Sequence, residues 1–407
     1  MRFTLHKSAI HKKSEIQITG SKSESNRLLL LQALFPEIKV ENVSNSDDSV
    51  LMASALRSDS DIVDISHAGT AMRFLTAYFA VQEGREVILT GSKRMKERPI
   101  KILVNALTEL GADISYEKNE GYPPIKIKGK KLKRSEVSLK AYVSSQYISA
   151  LLLVASKLEN GIQLTLEGEI TSVPYIKMTL ALLDEIGVQS SFEGNRIKVF
   201  PKPDDVETKT LVVESDWSSA SYFFSIAALS PIGTEIKLSS YKENSLQGDS
   251  VLVAIYKEFG VETDFFNNTI TIKKVENNDK AKTFNLVHAP DIAQSIAVTC
   301  FALGIPCDLT GLHTLKIKET DRLVALKTEI EKLGGEVDIT DESLYLHPSS
   351  NIKEGVVIDT YHDHRMAMAF APLTLKTSLI VDDAMVVSKS FPSFWEDLKS
   401  IGFQITE

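Results

Sequence analysis

A helix-like segment that ends in an apolar residue and a glycine, and then passes into a strand-like segment, recurs along this chain. The steps lie at Leu110-Gly111, Ile186-Gly187, Phe259-Gly260, Leu333-Gly334 and Ile401-Gly402. Their interval of roughly 70 residues suits one supersecondary unit. Glycine is the usual left-handed cap of a helix, and residues 114–117 and 337–340 alternate as strands do. The pattern predicts an α/β protein whose unit is repeated about six times.

Length and composition exclude several classes of protein. The 407 residues suit two or three domains, and the formal net charge of −8 argues against a general nucleic-acid or membrane-surface binder. We see no signal region at the N-terminus and no stretch long enough to cross a membrane, so we expect a cytoplasmic protein. Cys300 and Cys307 are interpreted as buried thiols. The polar residues 275–283 are expected to form the tip of a surface hairpin.

Five segments combine small or hydroxyl residues with the start of a helix-like run. They are residues 20–27, 68–73, 143–147, 171–175 and 216–221. The first N–H groups of a helix lack internal partners and lie at the positive end of its dipole, so they bind anions. Taken alone, Ser21 with Glu24 is also an ordinary capping box. Five such segments together indicate a region that binds polyanionic small molecules.

Three basic clusters add full positive charges to this pattern. They lie at residues 93–99, 316–322 and 362–365. Each one alone is as well explained by a solvated surface, but arginine is the preferred partner of phosphate and carboxylate because its fork binds two oxygens. We expect no metal site at His362, Asp363 and His364, because adjacent side chains diverge and no second ligand cluster is suitably spaced.

Seven short motifs, in the same order along the chain, resemble those of the EPSP synthase (3-phosphoshikimate 1-carboxyvinyltransferase) branch of the enolpyruvyl transferase family. The motifs lie at residues 20–23, 68–73, 94–98 with Pro99, 144–146, 318–322, 363–368 and 388–392. The resemblance covers almost the whole chain. It implies an α/β fold of two domains, each built of repeated βαβαββ units and similar to an inverse α/β barrel. It places the first domain at residues 1–21 plus 215–407 and the second at 22–214, with the two closing around the substrates.

The resemblance also implies an activity in aromatic amino-acid (chorismate) biosynthesis. The enolpyruvyl group of phosphoenolpyruvate is transferred to the 5-hydroxyl of shikimate 3-phosphate, and phosphate is released. No cofactor and no metal are implied. The expected partners are these two small molecules, with neither nucleic acid nor membrane, and the chain is expected to be a monomer that glyphosate inhibits.

Site residues follow from the resemblance by position in the matching motifs. Shikimate 3-phosphate is assigned to Lys22, Ser23, Arg27, Ser144, Ser145, Gln146, Ser172, Asp291, Thr314 and Lys318. Phosphoenolpyruvate is assigned to Lys22, Gly69, Arg98, Gln146, Arg322, Arg365 and Lys389. The catalytic set is Asp291 as base, Glu319 and Lys389 for the proton on carbon, and Lys22. The sequence leaves open which of Glu319 and Lys389 delivers that proton.

The chain departs from the family pattern at a few positions. His67 and Phe74 replace a usual Asn and Pro, and Thr314 stands where an Asn often lies. Residues 48–67 form a shorter segment than usual, so one repeat is expected to lack strands.

Three alternative functions fit the sequence less well than this interpretation. A transferase acting on UDP-N-acetylglucosamine usually carries a cysteine in the loop that matches residues 91–98, where this chain has none. A non-catalytic anion-binding relative would be expected to lose some of the charged site residues. An RNA-processing relative is disfavoured by the acidic charge balance.

Overall fold

The computed structural model describes residues 1–140, 144–168, 170, 173–203 and 208–407. The chain divides into two compact units, each with its own hydrophobic core. Met1–Thr19 and Glu214–Glu407 form the terminal unit, and Gly20–Val213 forms the inserted unit. No described helix is long and apolar enough to cross a membrane. Each unit is described by itself.

The elements are numbered in chain order. The terminal unit begins with strands β1 (Phe3–Leu5) and β2 (Lys13–Ile16). The helices of the inserted unit are α1 (Lys22–Leu34), α2 (Asp47–Leu56), α3 (Gly69–Ala80), α4 (Lys101–Leu110), α5 (Ser145–Ala155) and α6 (Val173–Glu185). Its strands are β3 (Ile38–Glu41), β4 (Ile62–Asp64), β5 (Glu86–Thr90), β6 (Asp113–Tyr116), β7 (Ile125–Lys128), β8 (Glu136–Lys140), β9 (Ile162–Glu167), β10 (Ser190–Glu193), β11 (Arg196–Val199) and β12 (Lys209–Val212).

The rest of the terminal unit follows the same alternation. Its helices are α7 (Trp217–Leu229), α8 (Leu252–Lys257), α9 (Ala293–Leu303), α10 (Arg322–Lys332), α11 (His364–Phe370) and α12 (Phe394–Ser400). Its strands are β13 (Glu235–Ser239), β14 (Val261–Phe266), β15 (Thr269–Lys274), β16 (Lys282–Asn285), β17 (Cys307–Thr310), β18 (Val337–Ile339), β19 (Leu344–Leu346), β20 (Val356–Ile358), β21 (Leu379–Val381) and β22 (Ile405–Thr406).

The described strands form six sheets, and five of these have four strands. The sheet of β4, β5, β6 and β7 shows the common plan. It is built by the succession β4-α3-β5-α4-β6-β7, in which β4 and β5 are parallel and the final hairpin returns antiparallel, giving the order β4-β5-β7-β6. β8 to β11 and β16 to β19 repeat that order. The predicted βαβαββ repeat is therefore confirmed.

The sixth sheet is smaller than the others. It contains only β3 and β12, which are parallel, among the residues that the structure describes. Helix α2 is followed directly by β4 of the next sheet, without an intervening hairpin. The short segment at residues 48–67 accounts for this missing hairpin, as the sequence predicts.

Each unit contains a completely buried helix. Every residue of α3 and of α7 is buried, whereas strands such as β8 alternate between buried and exposed positions. The glycines of the recurring steps cap their helices: Gly111 has a φ of 110° and Gly402 a φ of 118°, which lies in the left-handed region that favours glycine. Cys300 and Cys307 are buried free thiols, as expected.

One expectation needs correction. The polar residues 275–283 do not form the tip of a hairpin, because β15 and β16 belong to different sheets and the segment connects them. The described strands form open sheets and no closed barrel. The helices in the interior satisfy the apolar faces of these open sheets, so closure is not needed.

Candidate active site

In the terminal unit, three cationic side chains surround the carboxylate of Asp291. Asp291 lies in a short 3-10 helix (Pro290–Ile292) that leads into α9. Its Oδ1 is 2.8 Å from Nη1 of Arg322 and 3.3 Å from Nζ of Lys318, and its Oδ2 is 3.3 Å from Nη2 of Arg365. Nη1 of Arg365 also donates to the backbone carbonyl of Asp291 at 3.2 Å. Three predicted cations and the predicted base therefore lie in one cluster.

Arg322 is almost fully buried and is shared among three carboxylates. Besides Asp291, its Nε lies 2.6 Å from Oδ2 of Asp363 and its Nη2 lies 2.8 Å from Oε2 of Glu319. Arg322 is the first residue of α10, whose N-cap Asp321 accepts from the N–H groups of Leu323 and Val324. The cap and the ion pairs fix the guanidinium with its planar fork held on two sides.

These charges and burial shift the pKa values of two carboxyls, Asp291 and Asp249, in opposite directions. Burial favours the neutral acid, but Lys318, Arg365 and Arg322 outweigh it and hold the pKa of Asp291 well below its usual range. The hydroxyl of Ser218 donates to Oδ2 of Asp249. Burial, together with the negative charge of Asp291, raises the pKa of Asp249 to about 6.

Two further predicted residues of the terminal unit, Lys389 and Thr314, have defined surroundings, and Asp363 lies close to the first of them. Lys389 ends the 3-10 helix Ala384–Lys389 and its Nζ donates to the carbonyl of His362 at 2.7 Å, next to the loop that starts α11. Asp363 caps α11 by accepting from the N–H of Arg365 at 2.9 Å. Thr314 lies in the 3-10 helix His313–Ile317, and its buried hydroxyl has no hydrogen-bond partner among the described residues.

In the inserted unit, Arg27 is buried between three helices. It lies in α1, whose N-cap Ser21 accepts from the N–H of Glu24 at 3.3 Å, so Ser21 acts as an ordinary cap. The guanidinium donates to Ser149 of α5 at 2.9 Å, to Thr179 of α6 at 2.8 Å, and to the carbonyl of Ser23 at 2.7 Å. Burial lowers the pKa of Arg27 to about 10, so it stays charged at neutral pH.

A second cluster in the inserted unit brings Gly69, Arg98 and Gln146 together. Gly69 is the first residue of α3, and an added Cβ there would lie 2.5 Å from Nη1 of Arg98. The amide of Gln146 donates to the hydroxyl of Thr70 at 3.1 Å, which joins the starts of α3 and α5. Glycine at position 69 lets the guanidinium lie where it does, against the start of α3, and an anion is favoured at a helix N-terminus.

The serine-rich start of α5 is partly occupied by its own cap. Ser144 is the N-cap and its Oγ accepts from the N–H of Gln146 at 3.3 Å, while Ser145 begins the helix. Lys22 is the first residue of α1 and its side chain makes no ion pair within the described residues. Ser172 lies outside the residues that the structure describes.

Several residues beside these clusters were not singled out from the sequence. Arg73 donates to the carbonyls of Gly69 and Pro99, each at 3.1 Å, and the hydroxyl of Tyr147 donates to the same Pro99 carbonyl at 2.6 Å. These bonds fix the loop that carries Arg98. Arg73 and Asp363 belong to motifs visible in the sequence, so their charges could have been used to predict that they lie near the site. Nothing in the sequence marks Ser149 or Thr179, which contact Arg27.

A family comparison and two sequence relatives complete the identification. The family model described as EPSP synthase (3-phosphoshikimate 1-carboxyvinyltransferase) matches residues 58–398. A Bacteroides fragilis protein named 3-phosphoshikimate 1-carboxyvinyltransferase is 46% identical over 402 residues, covering 97% of this chain and 96% of the relative. The chain belongs to the EPSP synthase family. A Sulfurovum protein of the same name is 36% identical and covers 95% of this chain and 96% of the relative.

Solved structures agree on the EPSP synthase fold. An EPSP synthase from Acinetobacter baumannii matches with a TM-score of 0.82 at 21% identity, over 100% of both chains. An enolpyruvyl transferase from Streptomyces tendae matches with a TM-score of 0.72 at 13% identity, over 100% of this chain and 98% of that one. The expected family and fold are confirmed, and the comparisons favour neither the transferase acting on UDP-N-acetylglucosamine nor a non-catalytic relative.

Proposed function

We propose that this EPSP synthase family member transfers the enolpyruvyl group of phosphoenolpyruvate to the 5-hydroxyl of shikimate 3-phosphate, with release of phosphate. We further propose that it acts as a cytoplasmic monomer and that its two units are the two domains of the enzyme. The observation that carries the reaction is the cluster in which Lys318, Arg322 and Arg365 all lie within 3.3 Å of Asp291.

The substrates explain why so many cations are needed. Each carries a phosphate and a carboxylate, and buried or partly buried arginines bind such groups strongly because water does not screen them. Phosphoenolpyruvate is assigned to Arg322, Arg365 and Lys389 of the terminal unit, and to Lys22, Gly69, Arg98 and Gln146 of the inserted unit. The contact of Arg98 with Gly69 and the bond of Gln146 to Thr70 support this second group.

Shikimate 3-phosphate is assigned to a set dominated by hydroxyls and single cations. It comprises Lys22, Ser23, Arg27, Ser144, Ser145, Gln146, Ser172, Asp291, Thr314 and Lys318. Support comes from the buried charge of Arg27 and from the exposed Ser144 and partly exposed Ser145 at the start of α5. The assignment of Thr314 is supported by its buried hydroxyl, which has no hydrogen-bond partner among the described residues.

Asp291 is proposed as the base that takes the proton of the 5-hydroxyl. The hydroxyl oxygen then bonds to the central carbon of phosphoenolpyruvate while the methylene carbon receives a proton. The adduct next loses phosphate, and the methyl group loses a proton to restore the double bond. Glu319 and Lys389 are the proposed groups for these transfers on carbon, with Lys22 as a further catalytic cation. Cations held in advance around the reacting anions supply the largest stabilisation.

The ion pairs of Asp291 suggest how binding makes it more basic. A carboxylate held by three cations is a weak base. Anions that bind to Arg322 and Arg365 offset the positive charge felt by Asp291, so its pKa rises toward a value useful for catalysis. Binding of phosphoenolpyruvate therefore makes Asp291 a stronger base.

The direct test is to mix purified protein with shikimate 3-phosphate and phosphoenolpyruvate and to measure released phosphate and the enolpyruvyl product. We expect phosphate release only when both substrates are present. UDP-N-acetylglucosamine in place of shikimate 3-phosphate should give none. Release with UDP-N-acetylglucosamine, or no release with shikimate 3-phosphate, would overturn the proposal. Analytical ultracentrifugation tests the monomer.

A further inference from the structure

The orientation of Arg27 is set by two buried hydroxyl groups, Ser149 and Thr179, which we call the hydroxyl pair. Both residues are fully buried. Thr179 Oγ1 accepts from Nε of Arg27 at 2.8 Å, and Ser149 Oγ accepts from its Nη2 at 2.9 Å. The two hydroxyl oxygens lie 2.9 Å apart. The pair thus contacts one edge of the guanidinium, which is fixed through two of its nitrogens.

The directions of these hydrogen bonds follow from counting protons. The single hydroxyl proton of Thr179 is donated to the carbonyl of Tyr175 at 2.8 Å. The bond between the two hydroxyls must therefore be donated by Ser149, whose proton is then also used. Both oxygens turn lone pairs toward Arg27, and neither hydroxyl is free to rotate. The carbonyl of Tyr175, in the first turn of α6, thereby orients both hydroxyls. The two hydroxyls in turn orient the guanidinium of Arg27.

The hydroxyl pair holds Arg27 without cancelling its charge. The described residues give Arg27 no ion pair within 4 Å, although the charge of Glu24 in the same helix acts on it from further away. Its other contacts are the carbonyl of Ser23 and the rings of Phe74 and Tyr175, 5.4 and 5.8 Å from its central carbon. Arg322 shows the opposite arrangement, with three carboxylates in contact. A guanidinium has five N–H groups, and its hydrogen bonds to the described residues engage each nitrogen of Arg27 once, so those residues leave two N–H groups for a ligand.

We infer that Ser149 and Thr179 are positioning residues for shikimate 3-phosphate, acting through Arg27 by orienting its guanidinium while leaving its positive charge available to an anionic group of that substrate. The inference rests on the proposed function, in which Arg27 binds shikimate 3-phosphate. A carboxylate at either position would orient Arg27 equally well but would neutralise it. Neutral hydroxyls meet both requirements.

The test compares Thr179→Val with Thr179→Ser. Valine keeps the shape of threonine and removes the hydroxyl, whereas serine keeps the hydroxyl. We expect Thr179→Val to raise the Kd and KM for shikimate 3-phosphate about tenfold, the scale of one hydrogen bond to a charged group. The KM for phosphoenolpyruvate should stay within about twofold, since Arg27 is not assigned to it. Thr179→Ser should restore affinity for shikimate 3-phosphate.

Thr76→Val is the matched control. Thr76 is fully buried in α3, and its hydroxyl donates to the carbonyl of Met72 four residues earlier, as that of Thr179 does to Tyr175. Among the described residues Thr76 contacts no arginine through that hydroxyl. We expect the control to leave affinity for shikimate 3-phosphate unchanged. An equal loss in the control would make the effect of Thr179→Val a general packing effect and would overturn the inference.

Calorimetric binding of shikimate 3-phosphate separates the possible failures. Wild-type protein that binds and turns over shikimate 3-phosphate, with Thr179→Val equally tight, overturns the inference alone. Wild-type protein that neither binds nor turns it over overturns the proposed function and the inference together. If thermal melting shows that Thr179→Val does not fold, Ser149→Ala carries the same expectation of about a tenfold loss.

Discussion

The guanidinium of Arg322 lies 2.8 Å from the carboxylate of Asp291, Nη1 to Oδ1, in a pair that is nearly closed to solvent on the arginine side. Two proposed roles meet in this contact, since Arg322 is assigned to phosphoenolpyruvate and Asp291 is the proposed base. The positive charge of Arg322, which is proposed to bind phosphoenolpyruvate, therefore lowers the basicity that Asp291 needs to deprotonate shikimate 3-phosphate. Anion binding at Arg322 relieves this conflict.

Replacing the proposed base tests its role in chemistry. Asp291→Asn keeps the shape of the side chain but removes the proton acceptor, so we expect kcat to fall by about 100-fold or more. The KM values should change much less. Asp308→Asn, a change in β17 outside the cluster, is the control and should leave kcat unchanged. Steady-state kinetics of phosphate release provides the measurement, and a normal kcat with raised KM values would make Asp291 a binding residue only.

Asp363 should be important for stability as well as for orienting Arg322. It is fully buried and pairs with Nε of Arg322 at 2.6 Å. Asp363→Asn leaves part of a buried positive charge uncompensated, and we expect a loss of about 3 kcal/mol in the free energy of unfolding. Urea denaturation checks this loss. Asp338→Asn, which breaks a surface pair with His347, should change stability little; similar losses in both variants would contradict the expectation.

Position 69 allows a test with glyphosate, which carries a phosphonate and a carboxylate on a chain longer than phosphoenolpyruvate. We expect inhibition of the wild-type enzyme that is competitive with phosphoenolpyruvate. A Cβ on residue 69 would lie 2.5 Å from Nη1 of Arg98, so Gly69→Ala must displace that guanidinium. The inhibition constant for glyphosate should then rise more than the KM for phosphoenolpyruvate. Equal changes in the two constants, or a wild-type enzyme that glyphosate does not inhibit, would contradict this expectation.

Asp249 predicts a specific dependence of stability on pH. Its pKa is raised to about 6 by burial and by Asp291, above the value of about 4 expected in the unfolded chain. The folded protein therefore binds the extra proton more tightly, and this contribution is present below about pH 4 and lost as the pH rises through about 6. Asp249→Asn cannot ionise and should escape that loss.

Thermal melting from acid to neutral pH measures the effect of Asp249. The melting temperature of Asp249→Asn, relative to wild type, should increase as the pH rises from about 4 to about 7. A constant difference across this range would show that Asp249 ionises normally. Because the measured quantity is the difference in melting temperature between the variant and wild type, the effects of groups that titrate alike in both proteins cancel.

Much of the fold follows from local sequence signals. The recurring glycines mark helix ends because only a residue without a Cβ takes the left-handed conformation at no cost, and all five steps occur where a helix passes into a strand. The shortened segment at 48–67 predicts the missing hairpin because too few residues remain between α2 and β4 to form it. The hairpin expected at 275–283 was wrong, since a polar segment does not specify which sheets it connects.

The sequence by itself determined the repeat, and it located the helix starts and the cations that are proposed to bind the two anionic substrates. Which carboxylate neutralises which cation was decided only by the tertiary structure. Arg322 meets Asp363 across 41 positions, and Arg27 meets Thr179 across 152. Charges and hydroxyls interact through space, over a few ångströms, so their effects on pKa and orientation depend on packing between distant segments that no local pattern encodes.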